Sequence, residues 1–179
     1  PKFLALPGPV FIPSVLKKYC SETLIWRGFH PFNMIRGPEE VGKKFWYPLL
    51  KSLKKCQRRE DIFFAGFNEI KGHEGVWVVS MGHLMGLLDE SWLGIPASKR
   101  LTMLRYCEFN KIEEGKIIET AMFFDIPHLM SQTGIKPFVY QTAAHLVQPG
   151  PKTHDGLLFN NQDHEEGKRT LNIIESMVN

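Results

Sequence analysis

The hydrophobic pattern in the first third of the chain predicts helices joined by short extended segments. Residues 14–20 have the composition of a short helix, and residues 23–26 have that of a short strand. A longer helix is predicted after Gly37, where a proline and two glutamates form a favourable first turn. Its apolar residues keep helical spacing as far as Cys56, and Pro48 interrupts the pattern.

The middle of the chain has the pattern of long strands instead. In the strand predicted at residues 76–88, Gly82 and Gly86 predict β-bulges or close backbone approaches. A helix over residues 127–132, with Gly134 as its stop, follows the last strand. Because helices come first and a meander of antiparallel strands follows, we expect an α+β fold and not an alternating βαβ fold. The predicted strands are residues 61–69, 76–88, 101–112 and 116–124.

The C-terminal part has a different residue pattern from the rest of the chain. Residues 147–164 lack periodicity and contain the polar runs QPGPKTHDG and FNNQDHEEG, which are typical of an extended tail or linker. Residues 170–178 return to a helical pattern whose apolar side has no partner in the sequence that follows. We therefore expect an N-terminal segment (1–20), a main domain (21–145) and a tail (146–179) that begins a second repeat or domain.

Composition and charge exclude several classes of protein. The chain has 179 residues, of which 43% are hydrophobic and 23% charged, as in ordinary globular domains. No run of about 18 apolar residues predicts a membrane span, and a net charge of +3 is too small to indicate a nucleic-acid partner. The three cysteines lack CxxC spacing, which favours free thiols and a cytoplasmic location.

Motifs for cofactors, metals and nucleophilic serines do not occur in the sequence. It contains no GxGxxG after a predicted strand, no P-loop, no GxSxG and no HExxH, so we expect neither a cofactor nor a metal. The acidic and histidine residues at 154–155 and 163–166 are more typical of a solvated linker than of a metal site. The basic run at 51–59 is interpreted as a solvated helix end, with an anion or nucleic-acid patch as the alternative.

The long strands carry the candidate site residues. Alternation places Trp77, His83 and Met85 on one face of the second strand. An aromatic and Met-rich face with one His suggests a curved sheet that lines a cavity, and a satisfied core histidine is the alternative. In the next strand, Arg105 and Glu108 lie on opposite faces.

Carboxylates near the end of the last strand are further candidates for proton transfer. Glu119 and Asp125 share one strand parity, and Met122 lies on the other face. Burial beside apolar residues would raise the pKa of such carboxylates and suit them to proton transfer near neutral pH. The alternative for Asp125 is that it caps the helix that starts near Pro127.

Segments of this region resemble the SnoaL-like polyketide cyclases of the nuclear-transport-factor-2-like (NTF2-like) superfamily. The resemblance spans about residues 76–134, and the earlier helix and strand come in the same order. The segments are SMGHLMG at 80–86, LGIPASK at 93–99, RYCEF at 105–109 with EGKIIE at 114–119, and the closing segment at 125–134.

The resemblance implies an NTF2-like cone, in which a curved antiparallel sheet wraps around a long helix and encloses an apolar pocket. It also implies intramolecular aldol chemistry without a cofactor, carried out by a carboxylate and a His. His83 matches the family's His, whereas the family's catalytic Asp falls at Met122 or its neighbour. The chain departs from the family pattern there, and Asp125 matches a later acid.

We therefore predict a cofactor-free enzyme of cyclase, isomerase or lyase type that acts on an apolar carbonyl compound. His83 is the expected base or proton relay, with Asp125 or Glu108 as its carboxylate partner and Arg105 as an orienting group. If the protein is an enzyme, His83→Ala is expected to abolish turnover and leave the fold stable. The expected pocket walls are Trp26, Trp77, Met85, Trp92 and Met122.

Two further expectations concern partners. The alternative to an enzyme is a non-catalytic module for small-molecule binding or dimerisation. A homodimer through the open sheet face is expected in either case, with no nucleic-acid or membrane partner.

Overall fold

A single mixed sheet of seven strands organises this protein, seen in a computed structural model that describes residues 2–137, 149–153 and 155–178. The strand order is β1-β4-β5-β6-β7-β2-β3, and every neighbouring pair is antiparallel except β2 with β7. The strands are β1 (Lys2–Ala5), β2 (Cys20–Arg27), β3 (Met34–Arg36), β4 (Leu53–Asn68), β5 (Gly75–Leu88), β6 (Leu101–Glu113) and β7 (Lys116–Phe124).

A continuous helical stretch from Pro38 to Ser52 packs against one face of this sheet. Its middle is a π-helical turn, Gly42–Trp46. This turn ends two residues before Pro48, which has no backbone N–H to donate to a helical hydrogen bond. The interruption expected at this proline therefore takes the form of a change in helical spacing. The helices are α1 (Ile12–Tyr19), α2 (Pro38–Val41), α3 (Tyr47–Ser52), α4 (Ile126–Gln132) and α5 (His164–Val178), with a 3₁₀ turn, Pro9–Phe11, before α1.

The prediction that this helix continues to Cys56 is wrong, because β4 begins at Leu53. A register shift between Lys54 and Gln57 and a positive φ of 52° at Lys55 mark the change of direction. The basic run at 51–59 is thus mostly strand and not a solvated helix end.

The two faces of the sheet have different surroundings. The inner face carries Ser80 and Leu84 of β5, paired across to Glu108 and Leu104 of β6, and it packs on the helical stretch. The outer face carries the alternate residues of the same strands, His83 among them. Members of the core on the inner side include Leu24, Trp26, Phe45, Leu49, Leu84, Leu104 and Met122.

The other local predictions for the strand region are confirmed. Register shifts lie close to Gly82 and Gly86, and a Cβ atom added to Gly82 would stand 2.0 Å from the carbonyl oxygen of Arg59. Helix α4 ends before Gly134, which has a φ of 87°. The expected meander, β4-β5-β6-β7, is antiparallel throughout, and β2, which precedes it in the chain, joins β7 in parallel.

The two ends of the chain reach the sheet along β4. Strand β1 pairs with residues 57–60 of β4, and Leu157 forms a parallel bridge with Phe63 farther along the same strand. Helix α5 contains the helix predicted over residues 170–178, and none of its residues is buried. Its assignment to a second repeat stays a prediction. Across the described residues, no helix combines the length and the hydropathy needed to cross a bilayer.

Candidate functional site

A cavity of about 140 Å³ lies inside the cone. Its walls come from the N-terminal segment, from β2 and from the helical stretch, and they are mostly apolar. Residues Leu6 and Pro7, before α1, and α1 itself close one side. The main apolar lining residues are Leu6, Ile12, Leu16, Leu24, Trp26 and Trp46.

An ion pair forms the polar end of this cavity. Nη1 of Arg58 donates to Oε2 of Glu108 at 2.7 Å, and the two side chains are only 15% and 10% exposed. Burial acts to lower the pKa of the Arg58 guanidinium, but the charge and hydrogen bond of Glu108, together with Tyr106 and Glu60, outweigh it, and the net pKa is raised above its usual value. The arginine is therefore charged at every physiological pH.

A second set of buried polar groups lies on the sheet beside this pair. The hydroxyls of Ser80 and Tyr106 are 2.8 Å apart, and Ser80 also donates to Glu60 at 3.4 Å. The guanidinium carbon of Arg58 lies 4.8 Å from the centre of the Tyr106 ring. Burial raises the pKa of Tyr106 to about 12, so its phenol stays protonated at neutral pH.

The remaining polar residues of the cavity are uncharged. Thr120 donates to the side-chain oxygen of Asn110 at 2.7 Å, and both residues line the cavity. Burial, and then the charge of Glu108, raise the pKa of the Cys20 thiol to about 11. Cys20 is therefore a thiol and not a reactive thiolate, which leaves Glu108 and Arg58 as the groups able to do acid–base and electrostatic work.

Two buried donors on cavity-lining residues lack a protein acceptor. They are the indole N–H of Trp26 and the Nε–H of Arg58, neither of which has a hydrogen-bond partner in the described part of the chain. Buried donors are rarely left in this state, because the cost of removing them from water is then not recovered. Both residues line the cavity, but these two donor atoms are themselves fully buried.

The structure brings only some of the predicted pocket residues to this cavity. Glu108 and Trp26 line it. Met122 is fully buried in the adjoining core on the same face of the sheet. Trp92 is buried elsewhere, where its ring lies 6.3 Å from that of Phe32, and it does not line the cavity.

The other predicted site residues lie on the outer face. His83 faces Arg105 across the strands, and Trp77 and Met85 share its side of β5. Nη1 of Arg105 lies 3.1 Å from Oδ2 of Asp125, so these two predicted residues form an ion pair. Asp125 also caps α4 by accepting from the backbone N–H of residue 128 at 2.9 Å, as the alternative assignment predicted.

The carboxylate that contacts His83 is neither Asp125 nor Glu108. Nδ1 of His83 lies 3.3 Å from Oδ2 of Asp61, whose other oxygen is 3.2 Å from the guanidinium of Arg59. Burial, with Arg59 and Arg105 acting in the same direction, lowers the pKa of His83 against the opposing effect of Asp61. Since sequence parity puts Glu108 on the opposite face of the sheet, the expected His83–Glu108 pairing is corrected.

The C-terminal segment covers part of this outer cluster. A Cβ atom on Gly150 would lie 2.8 Å from the Cβ of Asp61, and one on Gly156 would lie 2.7 Å from its backbone oxygen. The N–H of Phe63 donates to the carbonyl of Gly156 at 2.7 Å. His83, only 2% exposed, is therefore a buried residue separated from the cavity by the thickness of the sheet.

Trp77 lies in a second concavity, also on the outer face. This open groove of about 550 Å³ is apolar, and its main lining residues are Phe64, Trp77, Val79 and Phe109. Phe123 adds an exposed ring that meets Phe109 edge to face at 6.4 Å. The groove is a surface feature, distinct from the cone cavity.

Comparison with known proteins identifies the architecture. No protein-family model and no curated protein matches the sequence. Among solved structures, a protein from Jannaschia sp. CCS1 assigned as a SnoaL-like polyketide cyclase is 18% identical, with a TM-score of 0.52 over 70% of this chain and 80% of that one. The chain has the SnoaL-like fold.

Two other structures with this SnoaL-like fold cover similar shares of the chain. IdmH from Streptomyces antibioticus, assigned as a polyketide cyclase, is 12% identical, with a TM-score of 0.54 over 68% of this chain and 86% of IdmH. The phenazine biosynthesis-related protein PhzB2 from Pseudomonas aeruginosa is 14% identical, with a TM-score of 0.51 over 78% and 85%. The resemblance found in the sequence and the NTF2-like cone are thereby confirmed at the level of fold.

The sequence analysis missed several residues that build the site in this SnoaL-like fold. Arg58 was hidden in a basic run assigned to a helix, although Cys56, Arg58 and Glu60 alternate as a strand does. The walls supplied by residues 6–16 had no signal in the sequence. Nowhere in the described ranges do three or more His, Cys, Asp or Glu side chains gather as metal ligands.

Proposed function

We propose that this protein is an enzyme that moves a proton on a small carbonyl compound bound in the cone cavity, with Glu108 as the acid–base group. The observation that carries the proposal is the Arg58–Glu108 pair, held at 2.7 Å at the polar end of an otherwise apolar cavity. A buried ion pair is seldom the most stable choice for a core, so a functional reason for keeping it is reasonable.

The chemistry follows from the two side chains. The Glu108 carboxylate accepts a proton from a C–H next to the ligand carbonyl, and the C–H electron pair moves onto the carbonyl oxygen as an enolate. The positive charge of the Arg58 guanidinium stabilises the negative oxygen. Glu108 then returns the proton in one of three ways: to another carbon, to a leaving group that the enolate expels, or to the alkoxide that forms when the enolate attacks a second carbonyl. These three outcomes correspond to isomerase, lyase and cyclase reactions, and none requires a cofactor.

The polyketide and phenazine assignments of structures with the same fold support a small-molecule substrate. Glu108 is preferred to His83 as the acid–base group because Glu108 lines the cavity, whereas His83 is on the other face of the sheet. His83 and its neighbours Arg105 and Asp125 then act as structural groups.

Deuterium incorporation tests this proposal without knowledge of the natural substrate. Small ketones are incubated with the protein in D₂O, and exchange next to the carbonyl is followed by NMR. We expect Glu108→Gln to slow exchange by about 10²–10⁴-fold. The matched control is Glu119→Gln, an outer-face carboxylate paired with Arg27, which leaves exchange unchanged. Exchange that survives Glu108→Gln, or that no ketone undergoes, contradicts the proposal.

The outer groove favours a second proposal, that two copies pair through this face. The apolar lining of the groove and the exposed ring of Phe123, 56% accessible, form a patch that a second copy would cover. If the protein is instead a non-catalytic module, two copies pair through this patch or a ligand binds in the cavity, and no deuterium exchange occurs.

We also propose a cytoplasmic location. Cys20, Cys56 and Cys107 are all free thiols, two of them buried. Unpaired cysteines of this kind are common in reducing compartments.

A further inference from the structure

We infer that helix α5 of one copy of this protein packs into the outer groove of a second copy, and that the two copies exchange these helices reciprocally. The groove is the open concavity on the outer face of the sheet whose main lining residues are Phe64, Trp77, Val79 and Phe109. The inference rests on the dimer proposed above, because it names the segment that enters the groove of the other copy.

Helix α5 presents an apolar side that is exposed in the described part of the chain. Its five large apolar side chains fall within one half of the helix circumference, and each is more than half exposed. They are Leu171, Ile173, Ile174, Met177 and Val178. An isolated helix of about 15 residues is only marginally stable in water, and a glycine within it, here Gly167, weakens it further. The helix therefore needs a surface on which to pack.

The charges of α5 leave this apolar side available for packing. The charged residues near its start neutralise one another in two ion pairs of 3.0 Å, Lys168 with Glu165 and Arg169 with Glu166. From residue 170 to residue 178, Glu175 is the only charged residue. The described residues that line the groove include no Asp, Glu, Lys or Arg. Helix and groove can therefore meet without burying unpaired ions.

The chain reaches α5 from the side of the sheet opposite to its own groove. The N–H of Leu158 donates to the carbonyl of Phe63 at 2.6 Å, and the ring of Phe159 stacks on that of Phe63 with 5.2 Å between the ring centres. Phe63 pairs with Ser80, so its side chain lies on the inner face, whereas the groove is on the outer face. Within one copy, α5 and the rim of the groove both stay exposed. A second copy supplies what each of them lacks.

Reciprocal helix exchange gives a closed assembly. In a two-fold symmetric dimer each copy gives one helix and receives one, so both helices and both grooves are covered. An amphipathic helix in an apolar groove is a common mode of recognition, and this groove has a volume of about 550 Å³. Two such contacts, counted on both surfaces, bury on the order of 1,600 Å², which is typical of a specific complex.

A charge on the apolar side of α5 tests the inference on the full chain. Ile174→Glu puts a carboxylate on the side that enters the groove, and the matched control Asn172→Glu puts the same group on the opposite side of the helix. In sedimentation at micromolar concentration, Ile174→Glu should raise the dissociation constant of the dimer at least about thirtyfold, and Asn172→Glu should change it by less than about threefold. Equal effects of the two variants, or none, overturn the inference.

A mixture of two variants shows whether the helices are exchanged between copies. Phe67→Glu places a charge in the groove at a side chain that is 67% exposed, so it should dissociate the dimer and leave the fold intact. In a mixture with Ile174→Glu, the intact helix of one variant can enter the intact groove of the other. A heterodimer with one working contact should form at concentrations at which each variant alone is a monomer. The absence of this heterodimer contradicts reciprocal helix exchange.

The outcomes separate this inference from the dimer on which it rests. If Ile174→Glu stays dimeric while Phe123→Glu is a monomer, two copies pair through the outer face without α5, and the inference alone is overturned. A monomeric wild type overturns both the dimer and the helix exchange. In that case, hydrogen-exchange protection of the α5 amides that Ile174→Glu removes assigns α5 to the groove of its own copy.

Discussion

Arg58 and Glu108 lie fifty positions apart in the chain and on strands that are not neighbours, yet their side chains meet at 2.7 Å. Strand β5 runs between β4 and β6, so the pair joins the two outer strands of a three-strand unit. The contact gives the cone cavity its polar end. It also makes the pair a sensitive point for stability, because each charge is buried and depends on the other.

Removing one member of this pair should be worse than removing both. Glu108→Gln leaves a buried guanidinium without a counter-charge and should lower the free energy of unfolding by about 3 kcal/mol. Arg58→Met with Glu108→Leu replaces the pair by apolar side chains and should return to within about 1 kcal/mol of the wild type. Denaturant unfolding followed by circular dichroism measures both. A double variant that is less stable than the single one contradicts this account.

The buried His83 should make stability depend on pH. Burial lowers its pKa, with Arg59 and Arg105 acting in the same direction and Asp61 opposing them. The unfolded chain takes up a proton near pH 6.5, and the folded protein resists it, so stability should fall as the pH drops from 7 to 5.

The melting temperature of His83→Gln should therefore change less over this pH interval than that of the wild type. The control is His164→Gln on the exposed helix α5, which should follow the wild-type curve. Equal pH dependence in all three proteins would remove His83 as the cause.

His83→Ala separates a structural role from a catalytic one. Because His83 is on the outer face and contacts Asp61, we expect the variant to lose about 1–3 kcal/mol of stability and to keep deuterium exchange. This differs from the expectation of an inactive and stable variant that the family resemblance gave. Exchange and thermal unfolding measured on the same preparation distinguish the two, and a stable, inactive protein would return the acid–base role to His83.

Gly82 should tolerate no side chain. A Cβ atom there would lie 2.0 Å from the backbone oxygen of Arg59 and 3.2 Å from the backbone nitrogen of Asp61, and a strand backbone cannot move aside as a flexible side chain can. Gly82→Ala should cost more than about 2 kcal/mol. Gly66→Ala is the matched control, since no atom lies within 4 Å of its added Cβ, and it should change stability by less than about 0.5 kcal/mol.

The proposed homodimer depends on the outer groove. Phe123→Glu places a charge at an exposed ring that adjoins the groove and should yield a monomer without loss of the fold. Val10→Glu, on an exposed apolar residue of the N-terminal segment, is the control and should stay dimeric. Sedimentation at micromolar concentration measures the oligomeric state, and a monomeric wild type would contradict the proposed dimer.

The sequence was sufficient where structure depends on local pattern. Strands β5, β6 and β7 and helix α4 occur where alternation, turn residues and a capping carboxylate predicted them. These signals are properties of a few consecutive residues, so they survive without knowledge of the rest of the fold. The resemblance to SnoaL-like proteins rests on the same stretch.

The end of the first long helix could not be found in this way. Residues 53–56 fit the helical period, but Leu53 and Lys54 pair with β5, and the backbone turns at Lys55 with a positive φ. Pairing with β5 is a long-range contact that no window of sequence contains. The role of Arg58 could not be predicted for the same reason, because Arg58 lies in a part of β4 that the sequence pattern assigns to a helix.

Alternation by itself determined which residues share a face: Trp77 with His83, and Ser80 with Leu84. It could not determine which face is the inside, because both faces mix apolar and polar residues. The helical stretch from Pro38 to Ser52 packs on the side of Leu84, and this contact makes Glu108 an interior residue and His83 an exterior one. Only burial against a distant part of the chain sets that choice, since a strand presents its two faces equally until something covers one of them.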